Sequence, residues 1–144
     1  MLGPVTGYML LASSVRAQVE NFDEALKNTL LAHHQRHVPQ VIVKGSEVTL
    51  VYAPDMEWTK SAAHDDVAKM DALDCLKADY EFKLHNPTHR LHDYFRVVEY
   101  SSWSKQVVGE ATARRSEYPT ADAVDIAITR MLAEWRHKAT RNSQ

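Results

Sequence analysis

The sequence predicts a single α+β domain: a small antiparallel sheet, built from two hairpins and a possible N-terminal strand, with three helices in the order β-α-ββ-α-ββ-α. Three observations predict it. Apolar residues recur at helical spacing in three long segments. Two β-branched and aromatic runs fold back on themselves around short turn sequences. The chain has 144 residues, 44% hydrophobic and 25% charged, enough apolar surface for one core and too much for disorder.

The N-terminal segment, residues 1–14, reads as a strand or arm. Its apolar run Tyr8-Met9-Leu10-Leu11-Ala12 has no basic residue before it, and Gly3, Pro4 and Gly7 interrupt the approach, so it does not read as a secretory signal. The first helix is expected over residues 15–37, capped by Ser13 or Ser14, with Val15, Val19, Phe22, Leu26 and Leu30 on one stripe. Val38-Pro39 ends it, because a residue before proline avoids helical backbone.

Residues 41–83 read as a hairpin followed by a helix. Val41–Lys44 and Val48–Tyr52 are the strands, and Gly45-Ser46 is the two-residue turn. The second helix is expected from about Ala62 to Phe82, capped by Ser61, with Val67, Met70, Leu73, Leu76 and Tyr80 facing the core.

Residues 94–138 repeat the hairpin-plus-helix plan. Tyr94–Tyr100 is the first strand, Ser101–Ser104 the turn and Gln106–Gly109 the start of the return strand. Glycine inside a strand predicts a bulge or a close backbone approach at Gly109. Thr120 caps the last helix, whose stripe is Val124, Ala127, Ile128, Met131, Leu132 and Trp135. Residues 139–144 are expected to fray.

Charge is unevenly spread. Residues 55–82 carry three basic and eight acidic side chains, net −5, and residues 83–144 carry ten basic and seven acidic, net +3. No stretch reaches the ~20 apolar residues of a membrane span, so no membrane partner is expected. The lone Cys75 excludes an internal disulfide and points to a reducing, cytoplasmic setting. It is a poor nucleophile, because Asp71, Asp74 and Asp79 nearby hold a thiol protonated.

No phosphate-binding loop, dinucleotide fingerprint or nucleophile elbow is present among the four glycines. The expected function is therefore non-enzymatic: a protein-binding domain (inhibitor, adaptor or chaperone-like accessory protein), with another protein as partner and a homodimer possible. Its interface would combine Trp58, Asp65, Asp66, Asp71, Asp74 and Trp103, because tryptophans are frequent hot spots and the acidic segment supplies complementary charge.

Two other classes stay open. A nucleic-acid surface would use Arg114, Arg115, Arg130, Arg136, Lys138 and Arg141, weakened by interspersed acids. A metal site would use four of the eight histidines. His33 and His37, four apart, share a helical face, and His89 and His92 could complete a zinc site without cysteine. His33-His34-Gln35-Arg36-His37 has the outer spacing of a zinc-protease motif but places His34 where a glutamate base is needed. His34, His64-Asp65 and Asp122 or Asp125 would suit a metal phosphohydrolase only in an all-helical fold. The carboxylate pairs Asp65/Asp66 and Asp71/Asp74 are the candidates for acid–base work.

Overall fold

The computed structural model describes residues 21–34, 37–38, 40–53, 58 and 63–142. The expected N-terminal strand, residues 15–20 of the expected first helix and the Ser13, Ser14 and Ser61 caps lie outside them.

Helix α1 spans Phe22–His33. Asn21 is its cap, and its side-chain oxygen accepts the Glu24 amide at 3.0 Å. Asn21 is extended (φ −134°), so no helix from Val15 runs through this point. The helix also stops short of His37. His34 leaves helical geometry (φ −117°, ψ 32°) while its amide still closes on Leu30 and Leu31.

The first hairpin joins β1 (Gln40–Lys44) to β2 (Glu47–Tyr52), and Gly45 takes the positive φ of 61° that its two-residue turn needs. Helix α2 spans His64–His85, with Ala63 at its cap position and no side-chain cap. The second hairpin joins β3 (Tyr94–Ser101) to β4 (Gln106–Arg114). Helix α3 spans Ala121–Asn142. As expected, Thr120 Oγ1 accepts the Ala123 amide, at 3.1 Å. The helix includes residues 139–142 of the expected tail.

The α+β class holds, and both hairpins share one four-stranded sheet in the order β1-β2-β3-β4. The sheet is mixed, not antiparallel. Strands β2 and β3 run parallel, with Val48 opposite Val97 and Leu50 opposite Glu99. The cause is the connection: α2 carries the chain back to the starting end before β3 begins, and such a crossover gives a parallel pair.

Alternating residues of the central strands point to the helices. Val48, Leu50 and Tyr52 on β2 and Phe95, Val97, Glu99 and Ser101 on β3 are all buried. Helix α2 lies across β3 and β4, α1 packs against β1 and α2, and α3 packs on α2. The small residues Ala68, Ala72 and Cys75, fully buried, let α2 approach the sheet closely. Gly109 marks the limit of that approach: an added Cβ would sit 2.6 Å from the His64 backbone carbonyl carbon. The ladder also slips between Glu99 and Tyr100, giving a bulge opposite this stretch of β4. Both sequence expectations for Gly109 are met.

Candidate proton-transfer site

The buried face of α2 is not the apolar stripe expected from the sequence. It includes His64, Asp71 and Asp79 beside Ala68, Ala72, Leu73, Cys75 and Leu76, while Val67, Met70 and Tyr80 are only half-buried. Burying two carboxyls and an imidazole on one helix is costly unless each finds a partner.

Asp71 finds one just past the end of α1. The Nε2 of His34 lies 2.6 Å from Asp71 Oδ1, across 37 positions of chain. One residue earlier, His33 Nδ1 lies 3.2 Å from Asp74 Oδ2 at a more exposed position. Adjacent histidines at the end of α1 thus pair with aspartates three apart on α2. His33 makes its contact from the last turn of α1, and His34 from the cap position just past it.

Behind Asp71 stand Glu99 of β3 and Tyr52 of β2, both fully buried. Glu99 interacts with both neighbours. No bond of full hydrogen-bond geometry reaches either Glu99 oxygen, Asp71 Oδ2 or the Tyr52 hydroxyl. Two ionised carboxylates would be acceptors facing each other without water, so the pair retains a proton. Burial, then the Asp71 carboxyl, pushes Glu99 up to about 9. Burial pushes Asp71 up to about 7, against the bond that Glu99 offers it. Both carboxyls are thus raised, and the pair shares the proton. Burial holds His34 below its ordinary value despite Glu99 and Asp74, so its imidazole is neutral. Burial and Glu99 hold the Tyr52 hydroxyl protonated.

This chain of groups ends in a cavity of about 500 Å³. His34, Asp71, His37, Trp58, Met70 and Trp135 are among its lining residues. His37 stacks on Trp58, with ring centres 4.4 Å apart and planes within 13°. His64 meets Tyr52 and Trp58 edge-on at 5.2 and 5.9 Å. The wall is mostly aromatic and apolar, with its polar groups concentrated at His33, His34, His37 and Asp71.

The expected acidic interface is not assembled. Asp71 is buried and Asp74 turned to His33, because both serve the α1–α2 contact. Asp65 is exposed and Asp66 partly so, and Asp65 Oδ1 accepts the Glu110 amide at 3.0 Å. Trp58 packs against the core. Trp103 is exposed at the β3–β4 turn, as its sequence position suggested.

The four-histidine metal set is not assembled either. His33 and His37 do not share a helix, since α1 ends between them. His89 and His92 meet Asp79 instead. His89 Nε2 lies 2.6 Å and His92 Nδ1 3.0 Å from Asp79 Oδ1, and the His92 amide donates to Asp79 Oδ2 at 2.7 Å. Burial pushes Asp79 up, but the hydrogen bonds from His92 and His89 outweigh it and leave the carboxyl below its ordinary value.

Of the basic residues, Arg114 lies over the Tyr94 ring, 5.8 Å from its centre, and Arg115 pairs with Asp93 at 2.9 Å. Arg130, Arg136, Lys138 and Arg141 are exposed along α3. Cys75 is fully buried, which its position outside the expected stripe did not suggest, and burial followed by the charges of Asp71 and Asp74 pushes its thiol well up. Among the described residues no helix is long and apolar enough to cross a membrane. The chain matches no protein-family model, no curated protein and no solved structure.

Proposed function

We propose that the chain binds a small, mainly apolar molecule in the cavity between α1, α2 and α3 and moves a proton on it. The observation that carries this reading is the His34–Asp71 pair in the cavity wall, backed by Glu99. Accepting a hydrogen from His34 Nε2, Asp71 fixes the tautomer and leaves the lone pair on Nδ1, the arrangement of a general base. Asp71 stabilises the imidazolium that forms, and the proton shared by the Asp71–Glu99 pair leaves it a single negative charge. His34 and Asp71 are the catalytic residues in this reading, and Glu99 and Tyr52 position them.

The substrate class follows from the wall. Trp58, Trp135 and Met70 favour a flat, neutral molecule, and one polar group on it would meet His34. The test is a screen of small carbonyl compounds by tryptophan fluorescence, followed by deuterium exchange at the carbon next to the carbonyl. Binding with exchange that is lost in His34→Gln supports the reading. Absence of binding at millimolar ligand overturns it.

A second reading, protein binding, is favoured by one observation. Trp103 in the β3–β4 turn and Val107 near the start of β4 are 48% and 56% exposed. Trp103→Ala would then remove a partner from pull-downs without changing the fold, and an unchanged partner set would exclude the tip.

A further inference from the structure

Asp79, His89 and His92 lie away from the His34–Asp71 pair, and the proton-transfer reading makes no use of them. Their three donor atoms, Asp79 Oδ1, His89 Nε2 and His92 Nδ1, all lie within 4.8 Å of one another. We propose that these residues bind a zinc ion, tying the segment 86–93 to α2.

The donor set suits the ion. Two neutral imidazoles and one carboxylate are a common three-ligand shell for zinc, with the remaining position left to water. Bonds of about 2.0–2.1 Å place neighbouring donors about 2.9 Å apart in an octahedron and about 3.3 Å apart in a tetrahedron. The two nitrogens stand 2.6 and 3.0 Å from the oxygen and within 4.8 Å of each other, so a tetrahedral ion would move them away from the oxygen by about 0.3–0.7 Å. It would replace the hydrogens now shared between the rings and Asp79, each ring turning a nitrogen lone pair to the ion.

The surroundings hold the donors in place. The His92 amide grips Asp79 Oδ2 and leaves Oδ1 as a monodentate ligand. Phe22 packs on both imidazoles, with ring centres 4.8 Å from His89 and 5.4 Å from His92. Phe82 lies edge-on to His89 at 4.9 Å, and Phe95 packs on His92 at 4.8 Å. The Asp79 side chain is 2% exposed, against 12% for His89 and 22% for His92, so access for the ion and its water lies on the His92 side.

The full chain, purified without a histidine tag, would be dialysed against micromolar zinc, desalted and analysed for metal. One zinc per chain is expected. His89→Ala and His92→Ala should each weaken binding at least about tenfold, and His33→Ala with His37→Ala should leave it unchanged. Zinc well below one per chain, or zinc lost only with His33 and His37, overturns the site and leaves a hydrogen-bonded histidine–aspartate cluster. Should the alanine variants unfold, cobalt added to the unaltered chain decides the matter. Ring protons of His89 and His92 shifted by the paramagnetic ion support the site, and unshifted ones refute it.

Discussion

His34 Nε2 and Asp71 Oδ1, 2.6 Å apart, join the end of α1 to the middle of α2 in the wall of the cavity that Trp58 and Trp135 also line. The Asp71 side chain is 2% exposed, so water does not replace a lost partner easily. His34→Ala is expected to destabilise the fold by about 1–3 kcal/mol, the cost of an unsatisfied buried polar group. Urea denaturation followed by tryptophan fluorescence measures it. A change below about 0.5 kcal/mol, typical of surface substitutions, would show that water reaches Asp71.

Glu99 gives the site a pH signature. Its folded value, about 9, lies above its ordinary 4.5, and that of Asp71, about 7, lies above its ordinary 3.8. The folded state therefore binds more protons than the unfolded state across these windows. The Glu99 contribution is complete below pH 4.5 and is lost as the pH rises through 9, and that of Asp71 is complete below 3.8 and is lost through about 7. His34 acts oppositely below its ordinary value of 6.5, because folding keeps it neutral. The two effects offset one another in mild acid, and the carboxyls alone remain from about 6.5 to 9. Tyr52, Asp74 and Cys75, the other titratable neighbours, all have raised values and do not reverse the sign. Stability should fall over this range by up to about 1.4 kcal/mol per pH unit for each proton. Glu99→Gln, neutral at every pH, should flatten the fall, as denaturation midpoints at a series of pH values would show.

The hairpins were legible because their signals are local: a glycine where φ must be positive, and β-branched runs on either side. The polar site was harder to see, since its pattern is helical but not apolar. His64, Ala68, Asp71, Cys75 and Asp79 follow one another at spacings of three and four, yet charged and small residues do not register as a core stripe. Glu99 left a clearer trace. It alternates with Phe95 and Val97 on β3, which places a carboxyl on the buried face of a strand. The end of α1 was the least legible feature. His33 and His37 fit a helical period, and only the partners on α2, more than thirty positions away in sequence, explain why His34 departs from it.

Cys75 tests whether α2 stays seated on the sheet. Its thiol is fully buried and held protonated by burial and by the acids around it. A thiol-specific reagent should label the native chain at least about 10³-fold more slowly than the denatured chain, as expected if labelling requires opening of the core. The rate should rise with urea in step with unfolding. Fast labelling without denaturant would mean that α2 lifts locally from β3 and β4.

Gly109 couples the bulge beside Glu99 to the first turn of α2. A methyl group there would lie 2.6 Å from both the backbone carbonyl carbon and the Cβ of His64. The nearest atom is backbone, so relief requires moving the helix and not merely rotating a side chain. Gly109→Ala should therefore cost about 1–3 kcal/mol, the range of overpacked cores. His64 touches the Trp58 and Tyr52 rings, so its displacement should also reach the cavity. Gly109→Ala should then alter both stability and the tryptophan emission of the folded chain. A loss of stability with unchanged emission would place the strain in the sheet alone.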